Sequence, residues 1–568
     1  MVASGPRLTE RERDVLIALC RPVLGDAPFT EPASIKCIAA ELVVTDAAVK
    51  QHLLHLYDKF GLHDEISNRR VRLANEALAS GIVSPTDLGG PATRSSSTRR
   101  LADGREAAAR GDWETAFERL SGVSSREALG PEDLELLGHA AFWTEHPQAA
   151  IEVRQRAHAA YLDAGDRRGA TRLALDLSIS HVTARRTVVA GGWLETARRL
   201  LDGLEERSES GQLAAIDALF AIATGRFEAA VESGRRAMDL GERFDDGDAI
   251  ALGQAYRGYA LVRLGERSEG LALLDQAMVA AISGRLGPLA TDQAFCRTLG
   301  ACIETWDYRR AAEWADAVLG PEPRPWTTGA TGDCRTHRVA IDIVRGEWQR
   351  GEAEAATACV ETEAFDPGHV AVALVELGEI RLRSGDLEAA ESAFRRAHQL
   401  GGPVSAGLAR LDLARGQAAR AGRSLVAALE AAGPDRVARV ELLTTLVECA
   451  TTVGDLERAR EACAELAETA RSVGTTALLA TAACAAGWLA LAEGDAGHAA
   501  SSFRIGWRGW TDVGAPYEAA RARLGLARAL AQDDEVAAAL ERDAAVAAFE
   551  RLGASLDARS AADALGRH

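Results

Sequence analysis

The stretch GDLEAAESAFRRAHQLGG, Gly385 to Gly402, opens with a helix breaker and a polar residue. Leu387, Ala390, Phe394 and Ala397 then fall at helical spacing on one face. Glycine permits the left-handed turn that ends one helix, and alanine at the sixth position lets the next helix approach its neighbours closely. The same unit recurs as GDWETA from Gly111, GWLETA from Gly192, GRFEAA from Gly225, GERSEG from Gly265, WDYRRA from Trp306 and GEWQRG from Gly346. It continues after Gly385 as GQAARA from Gly416, GDLERA from Gly454 and GDAGHA from Gly494. A degenerate EHPQAA begins at Glu145, and a twelfth copy starts near Asp534. From Gly225 onward the starts lie 40, 41, 40, 39, 31, 38 and 40 residues apart. A single match would mean nothing, but twelve at one period predict a repeat array. The expectation is an all-α solenoid of about eleven or twelve antiparallel helix pairs over residues 101–553, curving into a superhelix with an extended concave groove.

These residues resemble the tetratricopeptide repeat superfamily, in the longer-period form found in large bacterial regulators. The resemblance implies a surface that binds an effector, whether small molecule, peptide or protein. Upstream of the array, Val83–Arg100 reads VSPTDLGGPATRSSSTRR. Its Pro, Gly, Ser and Thr and its lack of hydrophobic period predict a flexible linker. The expected organisation is a small N-terminal domain over 1–82, a linker over 83–100 and a repeat domain over 101–568.

All three lysines of the chain, Lys36, Lys50 and Lys59, stand in the small domain. In LTERERDVLIALC, Thr9 and Glu12 form a capping box ahead of Val15, Leu16 and Leu19. A second helix from Ser34, SIKCIAAEL, ends at VVT; Thr45 then caps a third, DAAVKQHLLHLYDKF, which stops at Gly61. A fourth, SNRRVRLANEALASG, closes at Gly81. Two short helices about a three-to-four-residue turn make a helix-turn-helix. On the third helix Val49, Leu53, Leu56, Tyr57 and Phe60 are predicted to face inward. Ala47, Lys50, Gln51, Leu54, His55 and Asp58 take the other side, where small residues allow close approach to DNA and Lys50 and Gln51 supply donors.

These motifs resemble the LuxR/GerE-type helix-turn-helix family over about residues 8–82. Leu8-Thr9-Glu10-Arg11-Glu12, Ile38-Ala39-Ala40-Glu41-Leu42, Ala48-Val49-Lys50-Gln51-His52 and Lys59-Phe60-Gly61 stand at the family's spacing. The resemblance implies double-stranded DNA as partner, with Lys50, Gln51 and Leu54 facing bases and His52 near the backbone. Thr45, Ala47 and His55 complete the expected surface, and a fourth helix at Asn68–Ser80 would support a homodimer. Ala48 stands where the family commonly has threonine, Leu54 where a basic side chain is frequent, and the connection between the first two helices is longer than usual.

Net charge of −18 is uneven. Residues 1–100 hold 13 basic and 12 acidic side chains, a net of +1, which leaves −19 on the other 468. DNA contact is therefore expected at the N-terminal end and nowhere over the acidic remainder. Without lysine after Lys59 the array has no Walker A loop and no Schiff-base nucleophile, so neither an enzyme nor a cofactor is expected. Nine cysteines without a CxxC, and Cys334 with His337 alone, predict no metal site. No apolar run of membrane-spanning length and no signal-peptide core are read, which gives a cytoplasmic protein without membrane contact. The longest break in the array, GPEPRPWTTGATGD at Gly320–Asp333, lies among tryptophans. Trp306, Arg324, Trp326 and Trp348 are its candidate effector site, against the alternative that the tryptophans pack between helix pairs. Two functions stay open: a DNA-binding regulator with an effector-sensing solenoid, and a scaffold whose N-terminal domain is one more docking site.

Overall fold

The computed structural model describes residues 8–20, 32–42, 44–62, 69–80, 82–83, 91–124, 129–144, 146–319, 332–362, 367–433 and 435–563. Among them every regular element is an α-helix. The chain divides into two compact units, 1–129 and 130–568.

In the first unit, α1 (Glu10–Cys20), α2 (Ile35–Leu42), α3 (Asp46–Lys59) and α4 (Arg69–Ala79) close over one apolar core. Leu16, Leu19, Ile38, Val49, Leu53, Leu56 and Leu73 form its centre. The capping box is made: Thr9 N–H donates to Glu12 Oε2 at 2.7 Å, and Glu12 N–H to Thr9 Oγ1 at 3.3 Å. Two further helices, α5 (Pro91–Ala109) and α6 (Trp113–Ser124), pack as a pair about Gly111, which takes φ +76°. The linker expected over 83–100 is thus helical from Pro91. Proline suits the first helical position, where no N–H is needed, and the segment runs unbroken into LADGREAAA, whose Ala107 is buried. The division into units falls after α6, one helix pair later than the composition suggests.

Among the described residues the second unit holds eleven helix pairs, from Pro131–Trp143 with Pro147–Asp163 to Pro516–Leu530 with Glu535–Leu552, and then Ser555–Asp563. The repeat grammar works as expected at most copies. Gly225, Gly265, Gly346, Gly385, Gly416, Gly454 and Gly494 all take positive φ, from +70° to +95°. Trp306, in the glycine position of its copy, takes φ +58°. At the sixth position Ala190, Ala230, Ala311, Ala390, Ala421, Ala459 and Ala499 are fully buried. One copy was misplaced by the sequence. Gly192 lies inside the helix Thr187–Leu201, and the turn stands at Arg185, φ +54°, 40 residues before Gly225. The backbone closes there as at the glycines, Arg185 N–H to Val182 O at 2.9 Å and Arg186 N–H to His181 O at 2.8 Å. Gly191 is small for a different reason: a Cβ there would come within 3.1 Å of the Phe220 ring.

The superhelix is tighter than an open groove. The inner helices Pro288–Glu304, Gly332–Arg345 and Pro367–Ser384 end where Thr476–Glu493, Pro516–Leu530 and Ser555–Asp563 begin. Thr475 Oγ1 donates to Thr305 O at 3.1 Å, and Ser555 Oγ to Ser384 O at 3.0 Å, separations of 170 and 171 residues. Between these two contacts, a Cβ on Gly346 would meet Pro516 and Leu552. Arg383 pairs with Glu518 at 3.1 Å, and the Trp348 ring meets Tyr517 edge-on at 5.5 Å. One superhelical turn therefore closes every five helix pairs, and the last repeats seat on the middle ones. This seam encloses the expected groove. It also accounts for Thr476–Glu493, a helix long and apolar enough to cross a membrane, where the sequence reading expected none. The helix packs against both neighbouring helices and the seam, and so needs apolar residues on several faces.

Candidate nucleic-acid interface and repeat interior

Thr45 caps α3 in extended geometry, its Oγ1 accepting from Ala48 N–H at 3.2 Å. Val49, Leu53 and Leu56 are buried beneath the helix, and Tyr57 is half-buried with the Arg69 guanidinium 6.0 Å from its ring centre. Helical spacing then leaves Ala47, Lys50, Gln51, Leu54 and His55 exposed on the outer side. Gln51 Nε2 and His55 Nε2 lie 3.4 Å apart, and Leu54 is 52% exposed. His52 is half-buried, and its Nδ1 is buried without a hydrogen-bond partner among the described residues.

The three lysines have different work. Lys59 Nζ donates to Glu12 Oε2 at 2.6 Å, tying the end of α3 to the start of α1. The Lys59 ammonium and the Thr9 amide hold the Glu12 carboxyl down at about 2. Lys36 and Lys50 are exposed, without an ion pair among the described residues. The window of lysines thus contains one structural clamp and two solvent-facing cations.

Of the candidate effector residues, Trp306 and Trp348 are among the described ones. Trp348 is 4% exposed and donates Nε1–H to Ile343 O at 3.1 Å. Trp306 sits in the turn at the seam, 5.9 Å from Tyr308 and packed with Ala477, Ala480, Trp510 and Ala515. Both tryptophans fill space between helix pairs, as large aromatics do when a turn must cover its neighbour. Arg324 and Trp326 lie outside the described residues.

Sequence reasoning missed a set of charged side chains in the enclosed interior. Arg410 donates to Glu379 at 2.6 Å and Arg521 to Glu448 at 2.7 Å; Arg383 takes Glu518. Burial pushes the Glu376 carboxyl up to about 8, with Glu441 and Glu379 adding repulsion. Burial likewise raises the Tyr308 and Tyr517 hydroxyls. A signal was present in VELGEIRLRS, where Glu376, Glu379 and Arg383 share one face of an otherwise apolar helix. Among the described residues no group of three or more His, Cys, Asp or Glu could hold a metal ion.

No family model and no curated protein matches the chain. Solved structures do. The chain is similar to the APC/C hetero-tetramer Cut9-Hcn1 at TM-score 0.34 and 11% identity, over 85% of this chain and 97% of that one. It is similar to a Rap protein complexed with competence and sporulation factor at TM-score 0.36 and 11% identity, over 67% and 98%. A signal transduction ATPase with numerous domains and a tetratricopeptide repeat sensor, from Pyrococcus horikoshii, matches at TM-score 0.32 and 12% identity, over 69% and 63%. These overlaps are loose, and the repeat architecture rests on the chain's own helix pairs.

Proposed function

We propose that the protein is a cytoplasmic, DNA-binding transcriptional regulator, in which α3 reads double-stranded DNA as part of a homodimer and the repeat unit senses an effector. The observation that supports this most is the division of α3 into a buried face of Val49, Leu53 and Leu56 and an exposed face of Ala47, Lys50, Gln51 and His55. Lys50 is free of any ion pair among the described residues, so its charge is available to a phosphate or a base edge. A scaffold that docks proteins through both units is the second reading. It draws on Leu54, an exposed apolar side chain in the middle of that face.

A salt series of gel shifts with the full-length protein separates the two, because phosphate contacts make affinity fall steeply as salt rises. Lys50→Ala is expected to leave the fold intact and to weaken DNA binding by about 1–3 kcal/mol. Binding of DNA that ignores both salt and Lys50→Ala would remove α3 from the interface. Absence of binding at low salt would favour the scaffold.

A further inference from the structure

The copy that begins WDYRRA puts Arg309 and Arg310 at its fourth and fifth positions, at the start of the helix Tyr308–Leu319. Ala311, Ala315 and Val318 of that helix go into the core. Arg310, Trp314 and Ala317 stand beside them at helical spacing and line a cleft of about 430 Å³. Its other wall is the second helix of the preceding pair, Arg267–Ile282, through Asp275. A cleft of that size takes a small molecule. The polar groups are already set in place. Arg310 Nη1 donates to Asp275 Oδ2 at 2.6 Å, and Trp314 Nε1–H to Asp275 Oδ1 at 3.0 Å. Asp307 accepts from Arg310 Nε at 3.4 Å and pairs with Arg267 at 3.7 Å.

Hydrogen-bond capacity then selects the ligand. Both aspartates are answered, whereas Arg310 Nη2 has no acceptor among the described residues. Arg309, 70% exposed, meets only Glu313, itself 69% exposed, at 3.6 Å, and a solvated pair at that distance contributes little. Counted with Arg267, three arginines stand against Asp275, Asp307 and Glu313, so a single negative charge meets no net repulsion. Two guanidinium groups with spare N–H donors beside an indole suit a carboxylate carried on a flat ring. The same turn also carries the seam. Thr305 O accepts from Thr475 Oγ1 two residues before Asp307, and Arg267, the partner of Asp307, donates to Val473 O.

We propose that this cleft is the effector site of the repeat unit and takes an aromatic carboxylate. The ring lies against Trp314, the carboxylate bridges Arg309 and Arg310, and an occupied cleft holds the seam at Thr475 closed. A ligand that binds only while the turn Thr305–Asp307 is formed stabilises that turn by mass action. The inference names the effector class for the sensor reading and rests on it.

Calorimetry on the full-length protein with 2-naphthoate and its neutral amide, 2-naphthamide, tests this. Naphthoate is expected to bind, and the amide about tenfold more weakly or less well still, because it cannot accept a charge-assisted bond from either arginine. Arg309→Gln, at an exposed position whose loss leaves the fold intact, should weaken naphthoate about tenfold. Trp314→Leu should weaken it as well. Arg236→Gln, 64% exposed on the helix Phe227–Phe244, should change nothing. Hydrogen exchange over 473–480 should slow when naphthoate saturates the protein. The proposal is overturned if naphthoate does not bind at millimolar concentration, if the amide or Arg309→Gln binds it equally well, or if exchange at the seam stays unchanged. The sensor reading is checked separately, by adding naphthoate to the gel shift. Binding in the calorimeter with an unaltered shift would keep the site and remove its sensing role, and the DNA reading stands or falls with Lys50→Ala alone.

Discussion

Phe394 and Arg154 hold the same place in two repeats. Each projects from the second helix of its pair onto a glycine sixteen residues upstream, Gly378 for Phe394 and Gly138 for Arg154, where a Cβ would collide at 2.5 Å and 2.9 Å. Phe503 does the same on Gly487. The backbone geometry is common, yet the fillings are opposite. Phe394 is wholly buried in an apolar cluster that reaches across the seam to Ala520, Leu524 and Phe549. Arg154, 3% exposed, lies over the Phe142 ring, donates to Ser180 Oγ at 2.6 Å and stands 3.9 Å from Asp176, which also bonds His139. Among the described residues the main contacts of the first repeats run to their neighbours in sequence, whereas the later ones carry a second set of contacts at an offset of about 170. A repeat code therefore specifies a volume to be filled. Whether it is filled by an apolar ring or a paired charge depends on how many other repeats come to rest on it.

Four perturbations would break or sharpen that contrast. Phe394→Ala should cost most, about 3–5 kcal/mol, because it opens a cavity in a cluster pinned from two turns of the superhelix. Urea unfolding would measure it, and a loss below about 1 kcal/mol would mean that the seam yields to fill the hole. Arg154→Ala should cost about 3 kcal/mol, since it strands a partly buried Asp176. Burial raises the Asp176 carboxyl and Arg154 and His139 more than offset that, so it sits below its ordinary range. Arg154→Met restores the volume and should lose clearly less than the alanine variant. Equal losses would show that charge pairing, not filling, holds the first repeats together.

His181, 5% exposed on the helix Arg167–Thr183, has neither ring nitrogen in a hydrogen bond among the described residues. Burial, and then Arg186, hold its imidazolium pKa below the ordinary value. The folded chain therefore keeps His181 neutral where the unfolded chain would protonate it, and stability falls as pH drops through about 6.5. His181→Leu should gain about 1–2 kcal/mol, with the gain larger at pH 5.5 than at pH 7.5 in thermal melts. A gain independent of pH would assign the effect to packing alone. The smallest change is Thr475→Val, which removes one hydrogen bond at the seam for about 1 kcal/mol. Hydrogen exchange should quicken at 300–306 and 473–480 and stay unchanged over 167–201. Faster exchange throughout the unit would mean that the seam governs the whole array.

Sequence alone determined the helices and the places where they turn. Glycine at the turn, aspartate after it and a small residue at the sixth position are local requirements of a left-handed cap, an N-cap and a close helix crossing. Asp386, Asp455 and Asp495 each accept from the backbone N–H three residues on. The buried face of α3 was legible in the same way, from spacing. The decoy at Gly192 shows the limit: a glycine ahead of an apolar helical run reads as a turn, and only the structure puts the turn at Arg185 and Gly192 inside the helix. Tertiary structure decided the rest. The superhelical turn closes at 170 residues because small crossing rotations add over five helix pairs, and no window of sequence contains that sum. It alone shows Trp306 and Trp348 packed between helix pairs. It also brought Arg410 onto Glu379 and Arg521 onto Glu448, pairs 31 and 73 residues apart along the chain.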